Sequence, residues 1–145
     1  MCGINGYISN RKLDKKMVMD FLVKMNDEVI HRGPNEHGSF IEVEDNFSIG
    51  MGHRRLSIID LVSGQQPLLS KDQQKVIVFN GEIYNYKKLK QEHLSTYNFT
   101  TVSDTEVILA LYEKFGVSSF GMLDGMFAFS IYDKLINKVF IARDF

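Results

Sequence analysis

Cys2 is the residue best suited to nucleophilic chemistry, and it is the only cysteine in the sequence. A lone cysteine is most often a small buried apolar residue, but removal of Met1 would give Cys2 the free α-amine. An α-amine, with an unperturbed pKa of about 7.7–8.0, can accept the proton of a thiol, whose unperturbed pKa is about 8.5. The alternative is a cysteine–histidine pair with His31 or His53 as the base, which no spacing in the sequence supports.

Asn80 and Gly81 end the apolar run Val76–Phe79. Asn-Gly is a common turn dipeptide, so a simple strand end would explain it. An asparagine amide and the N–H of the next glycine are also two donors that can point at one oxygen, which is the composition of an oxyanion hole. The dipeptide alone does not decide between these two interpretations.

Arg55, Glu82 and Asp104 carry charges that suit an amino-acid substrate. Arg55 is either a solvated cation or a two-point clamp for a carboxylate. Asp104, at the start of a predicted helix, either complements the helix dipole or pairs with an ammonium group. Together with a thiol and an oxyanion pair, these charges match an α-amino acid with a side-chain acyl group, such as glutamine, if the fold brings them together.

The elements that must position these residues follow from hydrophobic periodicity and turn signals. Asp14 is a predicted N-cap, His31–Gly38 is a predicted loop, and Ser103 with Glu106 has the spacing of a capping box. The pattern predicts strands at 2–9, 39–43, 47–52, 75–80, 126–132 and 138–142, and helices at 14–30, 84–93 and 103–115. Because helices do not alternate regularly with strands, we expect an α+β fold with antiparallel sheets and helices packed outside them.

The composition is typical of one globular domain of 145 residues, of which 44% are hydrophobic and 24% charged. The net charge of −1 gives no basic footprint for nucleic acid or anionic lipid. No apolar run is long enough to span a bilayer, and Lys12, Lys15 and Lys16 come too early for a signal peptide. The histidines lack metal-site spacing. We therefore expect a cytoplasmic domain with no metal, no nucleic-acid partner and no membrane partner.

Seven sequence blocks follow one another along the chain: MCGI at 1–4, HRGPNEHG at 31–38, GHRRLSIIDL at 52–61, GQQP at 64–67, NGEIYN at 80–85, SDTEVILALY at 103–112 and GMFAFSIYD at 125–133. In this order they resemble the glutaminase domain of class II glutamine amidotransferases. The NGEIYN block and the LSIIDL…GQQP pair resemble the asparagine synthetase (glutamine-hydrolysing) branch rather than glucosamine-phosphate synthase or purine amidotransferases. The resemblance covers residues 1–145 as one domain.

The resemblance implies an N-terminal nucleophile hydrolase fold, a four-layer sandwich of two antiparallel sheets between helical layers, with its last strands expected beyond residue 145. It implies hydrolysis of glutamine to glutamate and ammonia through a γ-glutamyl thioester. The implied roles are Cys2 as nucleophile with its own α-amine as base, Asn80 and Gly81 as oxyanion hole, Arg55 for the α-carboxylate, and Glu82 and Asp104 for the α-ammonium group.

Two features depart from the family pattern. Asn35 stands where HRGP is commonly followed by aspartate, and the chain has no serine- and glycine-rich ATP-pyrophosphatase loop. The resemblance therefore implies no cofactor in this domain, with ATP and Mg²⁺ needed only by a C-terminal synthetase domain. It implies glutamine and that domain as partners and leaves a homodimer open. The alternative of another class is a non-catalytic module that keeps the fold for assembly or glutamine sensing.

Overall fold

The computed structural model describes residues 2–56 and 64–145, in which three α-helices flank two antiparallel sheets. The strands are β1 (Gly3–Ser9), β2 (Glu36–Val43), β3 (Ser48–Arg55), β4 (Leu68–Leu69), β5 (Lys75–Ile83), β6 (Gly125–Asp133) and β7 (Lys138–Arg143), and the helices are α1 (Lys15–Glu28), α2 (Tyr86–His93) and α3 (Asp104–Phe115). Sheet A has the order β1-β3-β2, and sheet B has the order β4-β5-β6-β7.

Alternation along β5 separates two hydrophobic cores. Val76 and Val78 pack with residues of β3 between the two sheets, whereas Ile77 and Phe79 pack with residues of α2 and α3 on the other face. Helix α1 packs on sheet A, with Leu22 fully buried. The layers are therefore α1, sheet A, sheet B, and α2 with α3. This arrangement confirms the predicted α+β four-layer sandwich.

Strand β2 begins at Glu36, inside the segment that the sequence predicted as loop, and β3 continues through Arg55, three residues past its predicted end. The two strands extend because Glu36 and Arg55 are register partners that form an ion pair. Hydrophobic alternation could not show this, because a charged pair at a strand end has the composition of a loop. The prediction for His31–Gly38 was wrong in its last three residues.

The helix start signals are confirmed in part. Asp14 accepts a hydrogen bond from the Met17 N–H, and Ser103 accepts one from the Thr105 N–H. The second half of the predicted capping box is wrong, because Glu106 does not bind the Ser103 N–H. That carboxylate instead accepts hydrogen bonds from the N–H and hydroxyl groups of residues 100 and 101, which lie closer because the chain folds back before α3.

Candidate functional site

Cys2 lies at the start of sheet A, immediately before Gly3, which pairs with Arg54 of the central strand β3. Its Sγ accepts a hydrogen bond from the backbone N–H of Leu56 across 3.5 Å. The side chain is partly exposed. The thiol is thus held at the end of a paired strand and remains accessible to a ligand.

Arg55 ends β3 and is 5% exposed. Its Nη1 donates to Glu36 Oε2 at 2.9 Å, which supplies the counter-charge that a buried guanidinium needs. The neighbouring Arg54 points to the opposite face of sheet A, where its Nη2 lies 2.6 Å from Asp27 Oδ1 on α1. The two adjacent arginines therefore differ in role. Arg54 fastens α1 to the sheet, and Arg55 lies on the face opposite α1.

Asn80 and Gly81 lie in the second half of β5, beyond its pairing with β4. Gly81 has a φ of 146°, and a Cβ at this position would clash with the carbonyl oxygen of Met126, so only glycine fits. The Oδ1 of Asn80 is buried and has no hydrogen-bond partner among the described residues. This atom is an acceptor, whereas the donor of the same side chain is its Nδ2 amide group.

The hydrogen bonds of β5 alternate between its two edges. The N–H of Lys134 donates to the carbonyl of Gln74, and the N–H of Tyr84 donates to the carbonyl of Asp124. These bonds lie at the two ends of the β5–β6 pairing. They show that the backbone N–H and C=O groups of the even-numbered residues of β5 point toward β6. The N–H groups of the odd-numbered residues therefore point to the opposite edge.

Beyond the end of β4, side chains accept hydrogen bonds from backbone N–H groups on that opposite edge. Gln66 Oε1 accepts from the Phe79 N–H at 2.6 Å, and Asp104 Oδ2 accepts from the Ile83 N–H at 2.9 Å. The N–H of Gly81 lies between these two and, by the alternation, points to the same edge. The edge thus presents a backbone donor beside the Asn80 amide, which is the composition that an oxyanion hole requires.

Asp104 is the first residue of α3, and Glu82 precedes Ile83 on β5. Burial raises the pKa of the Asp104 carboxyl, and the nearby charge of Glu82 raises it further, while backbone N–H groups act in the opposite direction. Glu82 itself is exposed. Two carboxylates that repel each other across this edge can both gain from a bound cation such as an ammonium group.

A cavity of about 410 Å³ lies between the end of β3 and residues 65–67. Arg55, Glu36, His53 and Gln66 contribute to its polar wall. Of the six predicted site residues, Arg55 lines the described part of this cavity and the other five do not. The volume is sufficient for a small polar ligand beside the guanidinium.

His53, one candidate base for a cysteine–histidine pair, is 1% exposed. Burial lowers its pKa to about 4, a hydrogen bond to the backbone of Phe79 acts against this, and the charge of Arg55 lowers the pKa further. A base with such a pKa accepts a thiol proton poorly near neutral pH. His31 is exposed in the short 3₁₀ turn Ile30–Arg32. The α-amine of Cys2 remains the better candidate.

No cluster of three or more His, Cys, Asp or Glu side chains that could hold a metal ion occurs in residues 2–56 and 64–145. Within the same ranges, none of the helices combines the length and the apolar character that a membrane crossing requires. The expectation that this domain needs no cofactor stays a prediction.

The predicted site residues fall into two groups. One is Cys2 with Arg55 at the end of β3, and the other consists of Asn80, Gly81, Glu82 and Asp104 at the edge of β5 and the start of α3. His53 connects the groups, because it lines the cavity with Arg55 and hydrogen-bonds to Phe79. Sequence reasoning missed the contributions of Glu36 and Gln66. Only the strand register shows that Glu36 faces Arg55.

Comparison with known proteins shows similarity along the whole chain. The family model described as "Glutamine amidotransferase domain" matches residues 1–145. Asparagine synthetase (glutamine-hydrolyzing) 2 of Bacillus subtilis is 43% identical over 99% of this chain, which spans 19% of that protein. Asparagine synthetase B (glutamine-hydrolyzing) of Escherichia coli is 40% identical over 99% of this chain, which spans 25% of it.

A solved structure supports the same fold. Glutamine phosphoribosylpyrophosphate amidotransferase from B. subtilis superposes with a TM-score of 0.69 at 22% identity, over 97% of this chain and 37% of that one. At this level of identity, the likeness shows the fold alone.

Proposed function

The chain belongs to the glutamine amidotransferase domain family, and from this premise we propose that it hydrolyses the side-chain amide of glutamine to glutamate and ammonia. The observation that carries the proposal is the edge of β5. There the Gly81 N–H lies between the N–H groups of Phe79 and Ile83, which donate to Gln66 and Asp104, and the preceding residue, Asn80, carries the side-chain NH₂ that would be the second donor.

In the proposed reaction, Cys2 Sγ attacks the side-chain amide carbon of glutamine. The α-amine of Cys2 takes the thiol proton. The amide oxygen becomes an oxyanion, which the Asn80 side chain and the Gly81 N–H stabilise. The C–N bond of the substrate's side-chain amide breaks, the α-amine of Cys2 returns the proton to the leaving nitrogen, and ammonia departs. Water then attacks the γ-glutamyl thioester, the amine again acts as base, and glutamate leaves as the thiol is restored.

The charged residues of the site suit the α-carboxylate and the α-ammonium group of glutamine. Arg55 binds the α-carboxylate through its planar guanidinium, and its ion pair with Glu36 fixes the orientation of that group before the substrate arrives. Asp104 and Glu82 receive the α-ammonium group. A cation at this place opposes both the burial and the Glu82 charge that raise the pKa of the Asp104 carboxyl.

The ammonia has a proposed destination as well. Relatives of this chain bear the name asparagine synthetase (glutamine-hydrolyzing) and are several times longer than it. We propose that the ammonia serves a C-terminal synthetase domain that forms asparagine, and that ATP and Mg²⁺ act in that domain rather than in this one.

The experiment that tests the proposed reaction measures glutamate and ammonia release from glutamine. The protein is first shown by intact mass to have lost Met1. We expect turnover by the processed wild type and none above background by Cys2→Ala. Binding of glutamine without release of ammonia would instead support the non-catalytic sensing alternative and contradict the proposal.

A further inference from the structure

Gln66 makes two side-chain hydrogen bonds that bridge the two structural elements of the proposed site. Its Oε1 accepts from the Phe79 N–H on β5 at 2.6 Å. Its Nε2 donates to Thr105 Oγ1 on α3 at 3.4 Å. Phe79 precedes Asn80 in the chain, and Thr105 follows Asp104. One side chain thus contacts the neighbours of an oxyanion donor and of an ammonium-binding carboxylate.

The backbone around Gln66 is itself fixed in place. A Cβ at Gly38 would clash with the carbonyl oxygen of Gln66, so this segment lies directly against β2. At the other end of the bridge, Thr105 is 3% exposed. The backbone of Gln66 and the side chain of Thr105 are both packed. Movement of the Gln66 side chain would therefore change the position of β5 relative to α3.

The Gln66 side chain accepts a hydrogen bond at the edge of β5 beyond the end of β4. Strand β4 pairs with Val76 and Ile77 and then ends. Within residues 2–56 and 64–145, the N–H of Phe79 therefore has no neighbouring strand on that edge, and Gln66 Oε1 takes the place of a strand carbonyl. Without this acceptor, the segment that leads into Asn80 and Gly81 would lose its lateral support.

We propose that Gln66 is a positioning residue that sets the spacing between the oxyanion donors and the ammonium-binding carboxylates. The inference rests on the proposed glutaminase function. Its consequence is substrate selection. A correctly spaced site reacts with a molecule whose amide and α-amine both fit, so Gln66 increases the preference for glutamine over an amide that lacks the α-amine.

The test compares glutamine with glutaramate, which is glutamine without its α-amine. Gln66→Met removes both hydrogen bonds at similar length, Thr105→Val removes one of them, and Gln91→Met is the matched control at an exposed glutamine of α2. The measured quantity is the ratio of kcat/KM for the two substrates. This ratio does not depend on the folded fraction, so a purely structural loss of stability would leave it unchanged.

We expect Gln66→Met to lower the ratio about tenfold, a part of the about 10²-fold that a misplacement of 1 Å can cost. Thr105→Val should also lower it, and Gln91→Met should retain the wild-type ratio. If Gln66→Met does not fold, Thr105→Val alone decides. A wild-type ratio in the folded variants would overturn the role of Gln66, whereas a wild type that does not hydrolyse glutamine would overturn the proposed function together with it.

Discussion

The thiol of Cys2 accepts a hydrogen bond from the Leu56 N–H at the residue that directly follows Arg55. One strand end therefore holds both the proposed nucleophile and the proposed carboxylate clamp. Their spacing is set by the β1–β3 register rather than by a loop. The relationship predicts that a change at Arg55 that keeps a positive charge facing Glu36 alters substrate binding.

Arg55→Lys should raise the KM for glutamine. An ammonium keeps the positive charge but cannot reproduce the planar two-point contact of a guanidinium with a carboxylate. We expect the loss of binding energy to stay below the about 2–5 kcal/mol that complete removal of a buried charge partner costs. Arg54→Lys is the matched control, because Arg54 contacts Asp27 of α1 on the other face. Steady-state kinetics of both variants check the prediction, and an equal KM for the two would argue against a clamp at Arg55.

Asn80→Ala should lower kcat far more than it changes KM. Loss of one oxyanion donor typically costs about 10²–10³ in turnover, because the interaction forms only in the transition state. The same kinetic assay separates the two parameters. A raised KM with unchanged kcat would reassign Asn80 to ground-state binding of glutamine.

Glutamine binding should weaken at acid pH through Asp104. Burial raises the pKa of this carboxyl, so it takes up a proton and loses its negative charge at a higher pH than an ordinary aspartate. Calorimetry between pH 4 and 7 in the Cys2→Ala background measures binding without turnover. We expect affinity to fall as pH falls, and Asp104→Asn to bind weakly with a flatter profile.

Asp14→Asn serves as the control for that titration, because Asp14 makes the same type of contact at the start of α1 and asparagine is an equally good N-cap. This variant should keep the wild-type pH profile. A profile for Asp104→Asn that runs parallel to that of the control would remove Asp104 from the ammonium site.

His53 should make the fold less stable at acid pH. Burial lowers its pKa from 6.5 to about 4, so between these values the unfolded chain binds a proton that the folded chain does not. The free energy of unfolding therefore falls as pH drops from about 6.5 to about 4, by up to about 3 kcal/mol. His53→Gln should remove this part of the slope in urea unfolding. Parallel curves for wild type and variant would contradict it.

The fold could be predicted from the sequence where apolar periodicity dominates. Strands such as β6 and helices such as α1 follow from alternation and from the N-cap at Asp14, and the antiparallel layers follow from the order of elements. The predictions failed where polar contacts decide. Glu106 is an example, because hydrogen bonds from Thr100 and Thr101 outweigh its burial and hold its pKa below the usual range.

The candidate site could be predicted in composition but not in geometry. Residue types indicated a thiol, two amide donors, a cation and two carboxylates. Sequence spacing could not show that Gly81 requires a φ of 146° or that Gln66 contacts β5. The first depends on the close approach of β6 and the second on where β4 ends, and both are properties of the folded sheet. Residues 57–61 of the GHRRLSIIDL block, on which the family resemblance partly rests, lie outside the described residues.

Cys2 is proposed to form a covalent bond to the substrate, and the mass of a trapped adduct would reveal that bond. The processed protein is treated with 6-diazo-5-oxo-norleucine, a reactive glutamine analogue, and the modified residue is located by peptide mass spectrometry. We expect one adduct on Cys2, which excess glutamine prevents and which forms more slowly in Arg55→Lys. An unmodified Cys2 in protein that has lost Met1 would contradict it.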